Sequence, residues 1–361
     1  MDSTLIIAEA GVNHNGQLDI AYQLVDAAVN AGVDIIKFQT FKAEKLVTQH
    51  AKQADYQSIN TKKVESQYSM LKKLELSFDE HSLVRDYCQQ KGIEYLSTAF
   101  DDDSLAFLID ELDLKLLKIP SGELTNTPLL LKHAYADRQL IVSTGMATIA
   151  DIRQALGVIA FGFLNSSSQD NKPSLQAFKM AYDSSEGQKL LAENVSLLHC
   201  TTEYPAPIAE INLNAIDLMQ QEFALPVGYS DHSEGIFIPS VAVAKGAVII
   251  EKHFTLDRTM TGPDHKASIE PDELKQMVGE IRRVELALGN KKKAPSPSEI
   301  KNMSVARKSI VANKPIAKGE SYTVDNLTVL RPGGGISPTN YFDLLGSKAN
   351  KDYQHGELIT L

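Results

Sequence analysis

Residues 5–38 read LIIAEAGVNHNGQLDIAYQLVDAAVNAGVDIIKF, which indicates a strand, a helix and a second strand in succession. Leu5–Ala8 and Val33–Phe38 are short apolar runs without alternation, as is typical of strands covered on both faces. Leu18–Ala31 carries apolar residues at helical spacing and stops at a glycine, which commonly ends a helix. The intervening turn Gly11–Gly16 lacks the pattern G-x-G-x-x-G, so a dinucleotide-binding fold is disfavoured.

The same alternation continues through most of the chain. Helical patterns such as Phe78–Lys91 and Ser233–Lys245, both followed by glycine, alternate with six further apolar runs. These runs are Ile93–Ser97, Lys115–Ile119, Leu140–Ser143, Val195–His199, Pro226–Tyr229 and Ala247–Glu251. Eight strand–helix units in about 290 residues predict an α/β fold, a (β/α)8 TIM barrel, rather than an open doubly wound sheet.

Two long segments interrupt this rhythm. Residues 44–74 form a polar stretch after the second strand that is suited to an active-site lid. Residues 163–194 lengthen the connection before the sixth strand, and their part 165–173 is predicted to be a surface excursion.

A second domain is predicted after the barrel. The barrel is expected to span residues 1–290, and residues 291–304, which begin KKKAPSPS, are expected to form an exposed linker. Residues 305–361 contain Gly/Pro turns and short β-like runs, so we expect a small, mostly β domain. The runs are Ser309–Ala312, Leu327–Leu330 and Leu358–Leu361.

The composition excludes several classes of protein. A formal net charge of −10 argues against a general nucleic-acid or acidic-membrane binder, which needs a net basic face. Cys88 and Cys200 fit neither a disulfide framework nor a zinc site, so reduced thiols are expected. No apolar run approaches the roughly 18 residues that span a bilayer, and the N-terminus lacks the parts of a signal peptide. A cytoplasmic location is therefore expected.

Polar or ionisable residues stand at the end of every predicted strand. The C-terminal ends of the strands form one face of a TIM barrel, and catalytic residues collect there. One such group would have a structural explanation, whereas eight strands that deliver them together predict an active site. The residues at this rim are Glu9, Lys37, Gln39, Thr98, Lys118, Ser121, Glu123, Ser143, Thr202, Tyr204, Ser230, Asp231, His232, Glu251, Lys252 and His253.

Lys37 and Lys118 indicate an anionic substrate. Burying an unpaired ammonium group is costly, so a lysine within an apolar strand implies an anionic partner. Lys37 alone could belong to a structural ion pair, but a second lysine on the same rim favours a bound anion. The turns that begin at Ser121 and Ser143 add hydroxyl and backbone N–H groups that suit phosphate oxygens.

His232 and His253 follow the neighbouring strands seven and eight. Imidazole nitrogens bind Mn and similar divalent ions, and two histidines leave coordination positions for water and substrate. A pair of hydrogen-bonded structural histidines is the alternative interpretation. Further candidates for supporting the metal or binding substrate are Asp231, Asp264, His14 and His265.

These motifs resemble the sialic acid synthase family, which includes bacterial N-acetylneuraminate and legionaminic acid synthases. The barrel motifs are residues 6–16 (IIAEAGVNHNG), 36–40 (IKFQT), 118–123 (KIPSGE), 199–207 (HCTTEYPAP), 228–232 (GYSDH), 250–254 (IEKHF) and 262–267 (GPDHKA). Residues 307–312 (RKSIVA) and 330–338 (LRPGGGISP) resemble the antifreeze-like, or SAF, domain of the same family. The motifs occur in order from about residue 4 to the C-terminus.

The resemblance implies a metal-dependent condensation of phosphoenolpyruvate with N-acetylmannosamine or a related N-acyl amino sugar, with release of phosphate. It implies Mn or Mg at His232 and His253, while Glu9 and Lys37 are further catalytic candidates. Phosphoenolpyruvate is expected near Lys37, Thr98, Lys118, Ser121, Ser143 and Ser230. The sugar is expected near Gln39, Tyr204, Asp264 and Arg331, and Glu123 and Thr202 are also expected to bind substrate.

The resemblance also implies an assembly, and this chain departs from the family pattern at two places. It implies a homodimer in which the terminal domain of one chain caps the barrel of its partner, so that Arg331 would serve the partner's site. Some relatives carry Asn where this chain has Thr202, which weakens that assignment. The extended connection 163–194 is not general to the family.

Other functions fit part of the pattern. A Schiff-base aldolase would use Lys37 or Lys118 as its nucleophile. A carbohydrate-binding or ice-binding protein would explain the terminal domain but not a full rim of ionisable groups. Within the family the sugar stays open. N-acetylmannosamine is the main prediction, and the alternatives are the legionaminic acid precursor 2,4-diacetamido-2,4,6-trideoxymannose and the pseudaminic acid precursor.

Overall fold

The computed structural model describes residues 3–54, 58, 60, 65–168 and 171–361. The chain divides into two compact units, Met1–Gly289 and Asn290–Leu361, and each has its own buried apolar core. Within these described ranges, no helix combines the length and the apolar character that crossing a membrane requires. The cytoplasmic location stays a prediction.

The first unit is a closed barrel of eight parallel strands, which confirms the predicted fold class. Each strand pairs with the next one along the chain, and the first also pairs with the eighth. The strands are β1 Leu5–Gly11, β2 Ile35–Thr40, β3 Glu94–Ala99, β4 Leu116–Ile119, β5 Gln139–Ser143, β6 Val195–Cys200, β7 Val227–Asp231 and β8 Ile249–His253.

At least one helix follows every strand of the barrel. The helices are α1 Leu18–Ala31, α2 Ala43–Leu46, α3 Gln67–Lys72, α4 Phe78–Lys91, α5 Asp102–Ala106, α6 Thr127–Tyr135, α7 Ile149–Leu164, α8 Leu175–Asp183, α9 Ser185–Asn194, α10 Asn214–Phe223, α11 Phe237–Ala244 and α12 Pro271–Leu288. The helices α1 and α4 have the predicted bounds. Both end at a glycine in the left-handed conformation, Gly32 at φ 79° and Gly92 at φ 74°.

The helix α11 begins four residues later than the predicted Ser233, at Phe237. The reason is that Ser233 is held by the rim of the barrel. Its N–H and its hydroxyl both donate to Asp231 Oδ1, at 3.0 and 2.7 Å. Its carbonyl accepts a hydrogen bond of 2.5 Å from Lys252 Nζ, so its backbone is not available to start a helix.

The strands β2, β7 and β8 continue two residues beyond the predicted apolar runs, to Thr40, Asp231 and His253. The added residues are polar, so apolar character alone ended these strands too early. Their backbones remain in the parallel ladder, where Asp231 pairs with Lys252. Several rim residues therefore stand on strands, which hold them more rigidly than loops would.

The extended connection 163–194 contains more regular structure than its composition indicated. The helix α8 packs against α7, and the rings of Phe161 and Phe178 meet edge to face with centroids 5.3 Å apart. The helix α9 follows directly and buries Leu191. The described part of 165–173 is mostly exposed, and residues 169–170 of the predicted excursion lie outside the described residues.

The polar stretch 44–74 carries the short helix α3 near its end. Gly16, at φ 69°, allows the chain after α3 to approach the loop after β1, because a Cβ at Gly16 would lie 2.4 Å from the Lys73 carbonyl oxygen. The predicted lid includes residues 55–57, 59 and 61–64, which lie outside the described residues.

The second unit contains two helices, α13 Pro297–Ala306 and α14 Tyr341–Leu344, and two antiparallel strands, β9 Ser309–Ala312 and β10 Leu327–Leu330. The two strands have the predicted bounds. The third predicted run, Leu358–Leu361, is not a strand. Leu358 forms an isolated bridge with Val311, and the Ile359 N–H still donates to the Ile310 carbonyl of β9 at 3.0 Å. The pairing ends there, because the Thr360 N–H donates to the Tyr353 hydroxyl at 3.2 Å.

The segment that was expected to be a linker, 291–304, is exposed but partly helical. The helix α13 starts at Pro297 within it, and a capping box between Ser296 and Glu299 fixes that start. None of the residues of α13 is buried.

The interior of the barrel is built in layers. Six apolar residues, one from each of six strands, form a buried cluster: Ile7, Ile35, Leu96, Ile141, Leu198 and Ile249. Residues two apart on a strand face the same side of the sheet. The residues two positions later therefore form a second layer toward the C-terminal ends of the strands: Glu9, Lys37, Thr98, Ser143, Cys200 and Glu251.

Candidate active site

A cavity of about 250 Å³ lies at the C-terminal ends of the strands, and the polar layer forms its floor. The structure brings together most of the residues that the sequence predicted for the site. Those that line the cavity are Glu9, Lys37, Gln39, Thr98, Lys118, Ser121, Ser143, Thr202, Tyr204, Ser230, His232, His253 and Asp264.

Two buried lysines in this floor share one carboxylate. Glu251 Oε2 lies 3.5 Å from Lys37 Nζ, and Glu251 Oε1 lies 3.6 Å from Lys118 Nζ. Lys37 has a closer second partner, since Glu9 Oε2 lies 2.6 Å from its Nζ. Lys118 instead donates a hydrogen bond of 2.8 Å to the Ser143 hydroxyl. Lys118 therefore has the less compensated charge.

The burial of these groups shifts their pKa values in different directions. Burial raises the pKa of Glu9 to about 7, because the attraction of Lys37 offsets only part of it. Burial also acts to raise the pKa of Glu251, but Lys118, Lys37 and a hydrogen bond from Ser230 outweigh it and lower that pKa to about 2. Two ammonium groups thus face one firmly ionised carboxylate, and an anionic ligand would complete the balance of charge.

Gly145 allows three polar side chains to meet on one side of the cavity. A Cβ at this position would lie 2.3 Å from Thr202 Oγ1, 2.9 Å from Ser121 Oγ and 3.0 Å from Cys200 Sγ. The Gly145 N–H donates to the Ser121 hydroxyl at 2.9 Å, and that hydroxyl lies 3.2 Å from the Cys200 thiol. The turns after β4 and β5 therefore converge as the sequence predicted.

His232 and His253 lie side by side, with ring centroids 5.6 Å apart. The ring of Tyr204 lies 4.2 Å from that of His232 and 5.6 Å from that of His253. His232 Nδ1 lies 2.6 Å from the Thr201 carbonyl oxygen and must donate to it, which leaves Nε2 with a lone pair. Burial lowers the pKa of both histidines and so favours their neutral form.

The chemistry of this pair fits a divalent metal ion. Neutral imidazole nitrogens are metal ligands, and a carbonyl on the second nitrogen is a common support for them. Nδ1 of His253 is buried without a hydrogen-bond partner in the described structure. In the part of the chain that the structure describes, no group of three or more His, Cys, Asp or Glu side chains is arranged to hold a metal. The metal and its two predicted ligands, His232 and His253, stay a prediction.

Asp231 and Lys252 form a separate ion pair behind the cavity. Lys252 Nζ lies 2.6 Å from Asp231 Oδ2, and both side chains are fully buried. The Tyr229 hydroxyl donates to the other carboxylate oxygen at 3.1 Å. Neither member of the pair lines the cavity. Their contacts with Ser233 hold the loop that follows His232.

Two further histidines that the sequence raised as candidates do not line the cavity. His14 Nδ1 accepts a hydrogen bond of 3.0 Å from the Gly16 N–H, and burial lowers the pKa of His14 to about 3. His265 Nδ1 lies 2.6 Å from the Thr255 hydroxyl. Both are held within loops of the barrel rim.

Two predicted substrate-binding residues make hydrogen bonds with other parts of the chain. Glu123 accepts a hydrogen bond of 2.6 Å from the side chain of Asn126 and does not line the cavity. Arg331 belongs to the second unit, where its side chain is exposed and its Nε donates to the Ala306 carbonyl at 3.0 Å. Its predicted role in a partner's site stays a prediction.

The cavity also contains residues that sequence reasoning missed. Glu251 was placed on the rim without a role, although its position two residues before His253 puts both on the same side of β8. Cys200 and several apolar residues, among them Leu71 and Leu74, were not singled out. Asp264, which the sequence did single out, also lines the cavity, and burial raises its pKa to about 6.

A closed (β/α)8 barrel with buried lysines, hydroxyl groups and a histidine pair at its strand ends is the architecture of a barrel enzyme that handles an anionic substrate. Comparison with known families narrows this class. Residues 24–293 match the NeuB family and residues 307–361 match the SAF domain. The chain belongs to the NeuB family.

Individual relatives match over nearly the full length. The chain is 46% identical over 359 residues to N,N'-diacetyllegionaminic acid synthase of Campylobacter jejuni subsp. jejuni serotype O:2, which covers 99% of both chains. It is 43% identical to N,N'-diacetyllegionaminic acid synthase of Legionella pneumophila subsp. pneumophila, over 98% of this chain and 92% of that one.

A solved structure is also similar. The N-acetylneuraminic acid (sialic acid) synthetase of Leptospira borgpetersenii serovar Hardjo-bovis, crystallised in complex with citrate, is 33% identical to this chain. The alignment has a TM-score of 0.65 and covers 83% of this chain and 90% of that one.

Proposed function

We propose that this protein condenses phosphoenolpyruvate with 2,4-diacetamido-2,4,6-trideoxymannose to give N,N'-diacetyllegionaminic acid and phosphate. The observation that carries the reaction class is the pair of buried lysines, Lys37 and Lys118, that share Glu251 in the cavity floor. Support for the sugar comes from the two legionaminic acid synthases, which are 46% and 43% identical to this chain.

The floor of the cavity suits the charges of phosphoenolpyruvate. Its carboxylate and phosphate need cations and hydrogen-bond donors, and buried ammonium groups supply both. The carboxylate partner of Lys118, Glu251, lies 3.6 Å from its ammonium nitrogen. At this distance Lys118 can still donate a hydrogen bond to a bound anion. The hydroxyls of Thr98, Ser121 and Ser230 line the same surface.

The proposed reaction forms one C–C bond and, at C2 of phosphoenolpyruvate, forms a C–O bond to water and breaks the C–O bond to phosphate. The C3 carbon of phosphoenolpyruvate attacks the aldehyde carbon of the open-chain sugar, whose oxygen becomes a hydroxyl. Water adds to the cationic C2 and releases one proton, which balances the proton that the aldehyde oxygen takes up. The new C2 hydroxyl then loses its proton as the C2–O bond to phosphate breaks, which leaves a ketone and a phosphate that carries the bridging oxygen and that proton. We assign to Glu9, which lines the cavity, the uptake of a proton from that water. The support is that burial raises its pKa to about 7, so it can hold or release a proton near neutrality.

The histidine pair would orient the sugar aldehyde. A divalent ion, Mn or Mg, held by His232 and His253 would supply Lewis-acid polarisation of the aldehyde oxygen. The Thr201 carbonyl fixes the tautomer of His232, and the ring of Tyr204 packs against both imidazoles.

N-acetylneuraminate synthase is the second candidate function. The observation in its favour is the 33% identity with the Leptospira sialic acid synthetase over 83% of this chain. This candidate uses the same phosphoenolpyruvate site and differs only in the sugar, N-acetylmannosamine.

A phosphate-release assay tests the proposal. The purified protein is mixed with phosphoenolpyruvate, Mn and one sugar at a time, and the product is identified by mass spectrometry. We expect the highest kcat/KM with 2,4-diacetamido-2,4,6-trideoxymannose. A higher value with N-acetylmannosamine would assign the second candidate, and no release with any sugar would reject the condensation. Borohydride trapping of a pyruvate adduct would instead favour a Schiff-base aldolase.

A further inference from the structure

The cavity has an apolar side in addition to its polar floor. Five residues form this apolar wall: Val12 after β1, Met70 and Leu71 in α3, Leu74 after it, and Phe100 after β3. Val12, Met70 and Leu74 belong, with Phe41, to a buried apolar cluster that is separate from the main core. Leu71, Phe100 and Leu46 pack against the same cluster.

The segment that carries the apolar wall is fixed at both of its ends. The Ser66 hydroxyl caps the start of α3 by accepting from the Ser69 N–H at 3.2 Å. After α3, Glu75 Oε1 accepts a hydrogen bond of 2.5 Å from the Ala43 N–H. Gly16 leaves room for the Lys73 carbonyl between these points. The wall is therefore a preformed surface of the cavity.

We propose that this apolar wall contacts the C6 end of the sugar and selects a C6 methyl group over a C6 hydroxymethyl group. The inference rests on the proposed function, in which Lys37 and Lys118 bind phosphoenolpyruvate and the histidine pair faces the sugar aldehyde. The far end of an extended open-chain sugar must then lie against other parts of the lining.

The chemistry of the wall decides which sugar end it fits. The three lining residues that come from α3 and its end, Met70, Leu71 and Leu74, are all apolar and donate no hydrogen bond. A hydroxymethyl group against them would lose hydrogen bonds to water without replacement, whereas a methyl group would gain contacts. The polar lining residues Gln39 and Asp264 remain available for hydroxyl and amide groups nearer the aldehyde.

The size of the expected preference follows from how strongly an apolar pocket can discriminate between two substrates. Such a pocket distinguishes a methyl group from a hydroxylated one by roughly tenfold to a hundredfold in kcat/KM. The polar floor does not contact C6, so the KM for phosphoenolpyruvate should not depend on the C6 substituent.

The test compares two sugars that differ only at C6, namely 2-acetamido-2,6-dideoxymannose and N-acetylmannosamine. The ratio of their kcat/KM values is the C6 preference. In Leu71→Gln, which places an amide on the half-buried position of the wall, we expect this preference to fall by about tenfold. The matched control is Leu46→Gln, which alters the same apolar cluster but does not line the cavity, and which should keep the preference.

The possible outcomes separate this inference from the proposed function. An unchanged C6 preference in Leu71→Gln overturns the inference. Equal kcat/KM values of the wild type for the two sugars also overturn it. If Leu71→Gln is inactive with both sugars, Leu71→Ala is measured instead, and an unchanged preference there also overturns it. If 2,4-diacetamido-2,4,6-trideoxymannose is not a substrate but the C6 preference exists and falls in the variant, the proposed function fails and the apolar wall stands.

Discussion

The carboxylate of Glu251 lies 3.5 Å from the ammonium nitrogen of Lys37, and each of the two side chains is only 4% exposed. The same carboxylate lies 3.6 Å from Lys118. A buried charge that loses its partner destabilises a protein by on the order of 3–5 kcal/mol. Glu251 therefore stabilises both lysines in their charged form before an anionic substrate binds.

Replacing Glu251 by Gln should reduce the free energy of unfolding by about 3 kcal/mol, and the melting temperature should fall accordingly. Inorganic phosphate should restore more stability to Glu251→Gln than to the wild type, because it supplies the missing negative charge to Lys37 and Lys118. Thermal unfolding with and without phosphate measures both effects. The control is Glu44→Gln, which removes an exposed partner of Lys72 and should change little. Equal phosphate effects in Glu251→Gln and wild type would contradict the shared-carboxylate argument.

Replacing Lys118 by Met should affect phosphoenolpyruvate far more than the sugar. A charged hydrogen bond is worth about 1.5–3 kcal/mol, so the KM for phosphoenolpyruvate should rise by about tenfold or more. Steady-state kinetics with each substrate varied in turn provides the measurement. Lys115→Met is the matched control, because Lys115 directly precedes β4 and is exposed at the other end of the strand. An unchanged phosphoenolpyruvate dependence in Lys118→Met would move the anion site elsewhere.

Replacing His232 or His253 by Ala should abolish turnover and leave thermal unfolding largely intact. Each change removes one of the two proposed metal ligands, so binding of Mn, measured by calorimetry in the absence of substrates, should weaken as well. His50→Ala, at an exposed histidine, serves as the control for both readouts. Full activity of either site variant in EDTA would remove the metal from the proposal.

Much of the barrel could be predicted because local patterns determine it. The bounds of α1 and α4 follow from apolar spacing and a terminal glycine, and both are confirmed. The strand ends were placed too early in β1, β2, β3, β7 and β8. The residues missed in β2, β7 and β8 are polar, and Gln39, Ser230 and His253 among them line the cavity. Local apolar character therefore fails where the barrel carries its function.

Other parts of the site depend on contacts between distant segments. Glu251 gains its role only because closure of the barrel brings β8 near Lys37 and Lys118, which lie more than a hundred residues earlier in the chain. Met70 and Leu71 have the sequence pattern of ordinary core residues. No local signal distinguishes an apolar residue that faces a cavity from one that faces the core.

The predicted exchange of terminal domains between two chains has a direct genetic test. Glu9→Gln lies in the barrel and Arg331→Ala in the terminal unit, and we expect each to be nearly inactive alone. If the terminal unit serves the partner chain, a heterodimer of the two variants has one doubly altered site and one intact site. Random pairing then leaves about a quarter of all sites intact. Inactivity of a mixture in which heterodimers are demonstrated would exclude the exchange.

A buried histidine should make the stability of the barrel sensitive to acid. His133 in α6 is buried, its Nδ1–H donates to the Leu129 carbonyl at 2.9 Å, and its Nε2 has no partner in the described structure. Burial lowers the pKa of His133 from 6.5 to about 4. Above pH 6.5 both the folded and the unfolded state are neutral here, and the contribution to stability is complete. Between about pH 6.5 and pH 4 only the unfolded chain binds the proton, so the free energy of unfolding decreases as the pH is lowered through this range.

The variant His133→Leu isolates this contribution, because leucine fills a similar volume and does not titrate. Between about pH 7.5 and pH 5, the wild type should lose about 2 kcal/mol more of its free energy of unfolding than His133→Leu does. Urea unfolding followed by circular dichroism at the two pH values measures the difference. His81, whose pKa burial lowers to about 4, titrates in both proteins and cancels from the comparison. An equal loss in the two proteins would mean that folded His133 accepts a proton as readily as the unfolded chain does.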